Sequence, residues 1–346
     1  MSDNNQFKVP TKNPVFPQID RDYPIPEKEN LLNALNHEKP LWMPNLEGAS
    51  QNLWFMGDPI PKVPDGAQYT NMWGITYQYS EAQESATPMN SILNDISEWK
   101  EKLVWPSNGP DDFDFEADMK SITRNENQLF TGRMPSACFE QLHMLEGFEQ
   151  ALIDMFTEPE AVRELFETMV DFYIERFKHA QAAYNLDYVF YHDDWGTARG
   201  PFFSIDLFKE TILPPTIRLI KEYKKSGIPV IFHNCGLVDD FVPYMVDEIG
   251  ADGLQIQVIN DLGGIIKTYG DRTTVECRRP DPFLLFDPQT TEAQIRELGR
   301  WIVDNFGAHV NPGAGAVCTI QAPTAEVYYT LEEEIFKYSL DKYRNL

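Results

Sequence analysis

Three side chains of the kind that bind zinc stand at two places in the chain. His233 and Cys235 close the apolar run 228–232, and Cys318 lies far downstream. Side chains two residues apart on a strand share one face, so this imidazole and thiol can reach a single ion. Catalytic zinc typically keeps three protein ligands, and two Cys with one His form a known set. We therefore predict that His233, Cys235 and Cys318 bind a zinc ion.

A purely structural role fits the same residues and stays open at this point. Free Cys is among the most buried residue types, and a neighbouring His can be a hydrogen-bonded core residue. The positions of these residues favour a metal site over a structural role. Gly236 turns the chain directly after Cys235, and Cys318 follows the Gly- and Pro-containing segment 310–315.

Apolar runs alternate with amphipathic segments along most of the chain. Thr157, Ser204 and Thr291 are predicted helix N-caps, Pro214 marks a bend or stop, and Gly307 a helix end. Strands that alternate with helices predict a parallel sheet covered by helices, and about eight such units favour a (β/α)8 TIM barrel over an open sheet. The predicted strands are 41–46, 128–133, 188–192, 229–233, 253–257, 274–277 and 309–312, with a weaker eighth at 70–75.

The predicted domain organisation is one barrel with two additions. Residues 1–40, rich in Pro, Asn and Lys, are expected to form an N-terminal arm, and 41–346 a single catalytic barrel domain. Residues 47–120 are expected to form an insertion near the barrel mouth. The aromatic side chains of 54–105 within it either line a flat substrate slot or form ordinary core.

Active sites of such barrels lie at the carboxyl ends of the strands, and polar residues accumulate there in this chain. Each of these residues also fits a purely structural role. The Asp pair after His192 could cap a helix, and Arg133 could serve only in an ion pair. The predicted catalytic residues are Asp194, His192, Asp193 and Glu276, and the predicted substrate-binding residues are Asn45, Arg133, Trp195 and Gln257.

Composition excludes several classes of protein. The net charge of −25 opposes binding to nucleic acids and anionic membranes, which both require a basic surface. No apolar run is long enough to span a bilayer and the first residues lack the apolar core of a signal peptide, so we expect a cytoplasmic protein. Four scattered Cys do not make a disulfide framework.

Three motifs carry a resemblance to a known family. They are residues 191–204 (YHDDWGTARGPFFS), 233–236 (HNCG) and 315–323 (GAVCTIQAP), with Asp252-Gly-Leu between them. Together they resemble the uroporphyrinogen decarboxylase superfamily from about Trp42 to the end of the chain. That superfamily is built on a (β/α)8 barrel and contains decarboxylases and corrinoid-dependent methyltransferases.

The resemblance favours the methyltransferase branch. Decarboxylases carry an Arg-containing N-terminal signature that grips propionates, whereas the equivalent residues 42–47 (WMPNLE) contain no Arg. The methyltransferases carry His-x-Cys and a distant Cys as zinc ligands, which correspond to His233, Cys235 and Cys318. Residues 73–77, 94–100 and 104–106 look most like the aromatic O-demethylase group.

The resemblance implies a zinc-dependent transfer of a methyl group from a methoxylated aromatic compound to a corrinoid. The cobalamin is expected on a partner corrinoid protein, because the chain has no Asp-x-His-x-x-Gly motif. Two alternatives remain: a methylcobamide:coenzyme M or other thiol methyltransferase, and a metal-free decarboxylase or lyase of the same barrel. Self-association into a homo-oligomer is also left open.

Overall fold

The structure, a computed structural model, describes residues 21–54, 63–82, 85–107, 114–133, 137–278, 281–311 and 316–346. Residues 1–20 of the expected arm, parts of the expected insertion and the segment 312–315 lie outside the described residues. Contacts divide the chain into two compact units. The terminal unit comprises Met1–Ser50 and Asp261–Leu346, and the middle unit comprises Gln51–Asn260.

Twelve strands and twelve α-helices occur in the described residues. The strands are β1 Ser50–Trp54, β2 Gln68–Thr70, β3 Thr76–Ser80, β4 Ser85–Pro88, β5 Leu129–Arg133, β6 Tyr188–His192, β7 Gly196–Thr197, β8 Gly200–Pro201, β9 Val230–Asn234, β10 Gly253–Ile256, β11 Thr274–Arg278 and β12 Ala316–Thr319. The helices are α1 Glu27–Leu35, α2 Trp99–Lys102, α3 Phe115–Ser121, α4 Cys138–Glu146, α5 Phe148–Thr157, α6 Pro159–Tyr184, α7 Ile205–Thr211, α8 Leu213–Lys224, α9 Leu262–Tyr269, α10 Pro282–Phe286, α11 Glu292–Phe306 and α12 Ala325–Tyr343.

The middle unit is built on neighbouring strands in the order β1, β5, β6, β9 and β10. β6 runs parallel to β5 and β9, and β10 runs parallel to β9. Helices connect the parallel strands, as the crossover between such strands requires. Within the range of the expected insertion, β2, β3 and β4 form a separate antiparallel sheet. β7 and β8 form a two-stranded hairpin directly after β6.

The long helix α6 shows why the sequence folds as it does in this unit. Pro159 occupies the first turn, where its missing N–H costs nothing, and Asn185 ends the helix in the left-handed conformation. Apolar side chains recur at helical spacing and are buried, so one face of α6 belongs to the core of the unit. These side chains are Val162, Leu165, Phe166, Met169, Val170, Tyr173, Phe177 and Ala180.

The terminal unit contains the parallel pair β11 and β12, in which Cys277 lies opposite Cys318. Helices α11 and α12 belong to the same unit. Thr291 opens α11 with a capping box, in which its hydroxyl accepts from the Gln294 N–H and the Gln294 side chain accepts from the Thr291 N–H. Asn45 pairs with Cys318 through an isolated parallel bridge.

Most predicted elements are confirmed. The prediction 188–192 coincides with β6, and four others differ from β5, β9, β10 and β11 by one residue at one or both ends. The predicted caps at Ser204 and Thr291 are present, and α7 ends at Thr211, just before Pro214, as the predicted stop requires. The α/β class with parallel strands is therefore confirmed. No helix in the described part of the chain is long and apolar enough to cross a membrane.

Four local predictions are wrong. Residues 309–311 are not a strand, and the strand of this region is β12. Residues 41–46 contribute only the single bridge at Asn45, because Pro44 has no N–H to continue a ladder. Of the predicted strand 70–75, Thr70 ends β2 and residues 71–75 form the connection to β3. Thr157 ends α5 and donates its hydroxyl to Ile153 O, so it does not cap α6.

Candidate metal centre

Two neighbouring parallel strands place His192 and His233 side by side. Strand β6 pairs with β9 in a register that sets His192 opposite His233. Residues directly opposite each other in parallel strands point to the same face of the sheet. The two imidazole rings accordingly lie 4.3 Å apart between centroids and nearly perpendicular, at 86°. The carboxyl ends of β6 and β9 thus bring two ring nitrogens into one place.

Asp194 adds a carboxylate between the two rings. Its Oδ1 lies 3.4 Å from His192 Nε2 and 3.5 Å from His233 Nε2. The same oxygen accepts a hydrogen bond of 2.6 Å from the backbone N–H of Cys235, which fixes the carboxylate over the end of β9. One ligand atom from each of His192, Asp194 and His233 lies within 4.8 Å of the other two. Two nitrogens and one carboxylate oxygen at this spacing could hold a divalent metal ion.

Cys235 brings its thiol to the same point. Its Sγ lies 3.4 Å from His233 Nε2. Gly236, directly after it, has φ +96° and would place a Cβ 2.2 Å from the backbone carbon of Gly196, so only glycine fits there. The tight approach of Gly236 to Gly196 explains why the chain turns away immediately after the thiol. The prediction that His233 and Cys235 share one face at a strand end is consistent with this geometry.

The electrostatics of the centre favour an ionised Asp194. Burial opposes the charged forms of both Asp194 and His192. For Asp194, the neighbouring His192 and His233 together with the Cys235 N–H outweigh burial and lower its pKa. For His192, the carboxyls of Asp194 and Glu140 outweigh burial and raise its pKa. An ionised carboxylate beside two imidazoles is suited to attract a cation.

Glu140 is a neighbour of the centre that no sequence motif marks. It lies in the first turn of α4, and its Oε2 is 3.7 Å from His192 Nε2. Only 8% of the residue is exposed. Burial raises the pKa of Glu140, while the charge of His192 opposes that rise. The only sequence signal for Glu140 is its place in the segment that follows β5, a strand of the same sheet.

Asp193 and Trp195, which flank Asp194, lie in the interior of the middle unit. The Asp193 carboxylate accepts the backbone N–H groups of Phe139 and Glu140 and the indole N–H of Trp195. It therefore holds the N-terminal turn of α4 against β6. Trp195 is fully buried and packs on Phe208, Phe232 and Phe241.

The other predicted residues of the middle unit make local contacts. Arg133 ends β5, where its guanidinium stacks 4.2 Å above the ring of Phe190 and its Nε donates to Asn52. Gln257 follows β10 and accepts the Gly236 N–H at 3.2 Å. Gln257 therefore supports the turn after Cys235.

The remaining predicted residues, Asn45, Glu276 and Cys318, belong to the terminal unit. Cys318 is buried on β12, and its Sγ donates to Pro44 O at 3.4 Å. The Asn45 side chain donates to the hydroxyl of Tyr328 at 2.9 Å. Glu276 is buried on β11. The role of Cys318 as a zinc ligand stays a prediction.

Several aromatics of the expected insertion pack as core. Trp73 and Trp99 are buried. Trp73 contacts Trp105 and Phe172 with ring centroids 5.5 and 5.3 Å apart, respectively. Trp105 also contacts Trp99. The three Trp rings contact one another, and Trp73 and Trp105 also contact Phe172 of α6. In the described residues they therefore form one packed aromatic cluster.

Comparison with known proteins agrees with the parallel strands and the site at their carboxyl ends. Residues 120–329 match the family described as uroporphyrinogen decarboxylase (URO-D). The match covers more than half of the chain, and the protein belongs to this family. No curated protein matches the chain.

A solved structure, a methyltransferase from Methanosarcina mazei, has a similar fold. The TM-score is 0.63 at 12% sequence identity, and the alignment covers 92% of this chain and 99% of the other. At this identity the likeness concerns the fold alone. With the family match, it confirms the predicted fold class, the α/β barrel of the uroporphyrinogen decarboxylase type.

Proposed function

We propose that the protein is a zinc-dependent methyltransferase that moves a methyl group from a methoxylated aromatic compound to the cobalt of a corrinoid protein. The observation that carries the proposal is the cluster of His192, Asp194 and His233, whose ligand atoms lie within 4.8 Å of one another. The Cys235 thiol stands 3.4 Å from His233 Nε2. Membership of the family and the fold shared with a methyltransferase support the same reading.

The donor set fits zinc better than a hard cation. Magnesium and calcium prefer oxygen ligands throughout, whereas zinc takes His nitrogen, Cys sulfur and carboxylate oxygen together. We assign His233, Cys235 and Asp194 as ligands, with Cys318 as the further ligand that the family resemblance implies; the ether oxygen would then enter as a fifth ligand, which catalytic zinc can accept. Asp194 suits this role because its pKa is lowered, so its carboxylate is already ionised and need not release a proton when a metal ion binds.

The chemistry explains why such a centre is required. An aryl methyl ether resists nucleophilic attack at its methyl carbon because the leaving group is a phenolate. A bound zinc ion supplies Lewis acidity that polarises the ether oxygen and stabilises the leaving group. The protein's own residues bind and orient: the Cys235 N–H and His192 hold Asp194, and Asp193 anchors α4 beside them.

The corrinoid partner would reach the protein by diffusion. With a net charge of −25, the protein favours an encounter through a basic or polar patch of the partner's surface. Displacement at the methyl carbon would require the corrinoid on the side opposite the ether oxygen, so we expect the partner to dock at the carboxyl ends of the strands.

Methyl transfer can be tested directly with the purified protein. Zinc-loaded protein is incubated with Co(I) cobalamin and a panel of methoxyphenols, and formation of methylcobalamin is followed by its visible spectrum. We expect methylcobalamin with at least one methoxyarene and none after zinc is removed. Methylation from a methylated thiol such as methyl-coenzyme M, without reaction of any methoxyarene, would replace the proposal by the thiol alternative. Full activity without metal would favour a metal-free enzyme.

The ligand assignment is tested by metal content. We expect C235A and C318A each to abolish zinc retention. The matched controls are C138A and C277A, which remove buried thiols that the proposal does not use. Equal zinc retention in C318A and C277A would remove Cys318 from the ligand set. Equal retention in C235A and C138A would do the same for Cys235.

A further inference from the structure

One hydrogen bond decides which nitrogen of His233 faces the centre. Gln255 lies opposite His233 in the parallel pair of β10 and β9. Its Oε1 is 2.6 Å from His233 Nδ1. An amide oxygen can only accept a hydrogen bond, so Nδ1 must carry the hydrogen and donate it. The neutral ring then keeps its lone pair on Nε2.

The nitrogen left without a hydrogen is the one that points at the other donors. His233 Nε2 lies 3.5 Å from Asp194 Oδ1 and 3.4 Å from Cys235 Sγ. A metal binds only the nitrogen that carries the lone pair, and a second hydrogen bond at the opposite nitrogen selects it. The geometry therefore presents the ligating nitrogen before any ion arrives.

We propose that Gln255 is a positioning residue that locks His233 in the Nδ1–H tautomer and so presents Nε2 to the metal ion. The role of Gln255 in metal binding rests on the proposed function, whereas the tautomer of His233 is a property of the metal-free protein. Gln255 is 2% exposed, so solvent has little access to take over its role as acceptor.

A second glutamine on the same strand end provides the contrast. Gln257 also uses its Oε1 as an acceptor, but its donor is the backbone N–H of Gly236, at 3.2 Å. Gln257 therefore supports the turn after Cys235 and makes no contact with the His233 ring among the described hydrogen bonds. Loss of Gln257 leaves the tautomer of His233 unchanged, whereas loss of Gln255 removes the hydrogen bond that selects the tautomer.

The first experiment reads the tautomer in metal-free protein. The chain has only six His, so nitrogen-15 NMR of histidine-labelled protein, assigned with H233A, resolves the ring of His233. We expect the Nδ1–H form in the wild type, Q257M and Q255E, and a shift toward the Nε2–H form in Q255M. Methionine keeps the length and apolar burial of glutamine but has only a weak sulfur acceptor. Should Q255M not fold, Q255L replaces it.

The second experiment measures zinc affinity by competition with a chelator of known affinity. Loss of such an outer partner typically weakens metal binding about 10- to 100-fold. We expect this loss in Q255M, and rescue in Q255E, whose carboxylate accepts the same Nδ1–H. An unchanged tautomer in Q255M overturns the inference, and so does unchanged zinc affinity. If the wild type shows the Gln255-dependent tautomer but binds no zinc, the positioning role of Gln255 is confirmed and the proposed function is refuted.

Discussion

Replacement of Gly236 by alanine tests whether the turn after Cys235 holds the centre in place. Gly236 has φ +96°, a conformation that costs a residue with a side chain about 1–2 kcal/mol. A Cβ at this position would lie 2.2 Å from the backbone C, 2.5 Å from the O and 2.6 Å from the Cα of Gly196. Carbon atoms normally stay about 3.5–4.0 Å apart, so one of the two backbone segments must move.

The magnitude follows from these two costs. Overpacking of a tight interior typically costs about 1–3 kcal/mol, and it adds to the cost of the positive φ. We therefore expect G236A to lower the free energy of unfolding by about 2–5 kcal/mol. Gly227 provides a matched control, because it has φ +76° and nothing within 4 Å of its added Cβ. G227A carries only the conformational cost, about 1–2 kcal/mol.

Urea-induced unfolding followed by tryptophan fluorescence measures both variants under the same conditions. The difference between them, about 1–3 kcal/mol, isolates the clash with Gly196. Because the displaced segment carries Cys235, G236A is also expected to bind zinc more weakly than G227A. Equal destabilisation by the two substitutions, with equal zinc affinity, would refute the reasoning about this turn.

Three further predictions concern other residues of the middle unit. Burial and the nearby Asp154 raise the pKa of Glu146 to about 8, so its ionisation favours the unfolded chain as pH rises from about 4.5 to 8. E146Q should therefore gain melting temperature over the wild type from pH 5 to pH 8, and a constant difference would contradict this. W73A removes a buried ring packed on Phe172 and is expected to cost about 3–5 kcal/mol in urea unfolding without changing which methoxyarenes react; an altered substrate preference would count against the core role. D193N weakens charge-assisted hydrogen bonds to α4 and is expected to cost about 1.5–3 kcal/mol while zinc content stays at the wild-type level; loss of the ion at unchanged stability would mean that Asp193 is a ligand.

The elements that hold the centre were predictable because their sequences carry a simple pattern. The runs that end in His192 and His233 are short, apolar and rich in β-branched and aromatic residues, which is typical of buried parallel strands. Polar residues at the end of such runs indicate the functional edge of the sheet. The pairing of His192 with His233 then follows from the register.

Other features depend on information that a local pattern does not contain. Glu140 reaches His192 from a helix of another βα unit, so its position depends on how α4 packs beside β6. The residues 70–75 have a strand-like composition, but Asn71 accepts the N–H groups of Trp73 and Ile75, and Gly74 has φ +81°. This turn chemistry outweighs the propensity of the side chains. Strand β12, by contrast, contains Ala, Cys and Thr beside a single Val and gives a weak apolar signal.

The central claim is that a zinc ion binds at the end of β9, and anomalous X-ray scattering at the zinc absorption edge tests it most directly. Crystals of the zinc-loaded protein should show one anomalous peak at roughly 2.0–2.1 Å from His233 Nε2 and about 2.3 Å from Cys235 Sγ. Absence of a peak at this position in zinc-saturated crystals, or a peak whose ligands include neither His233 nor Cys235, would contradict the account.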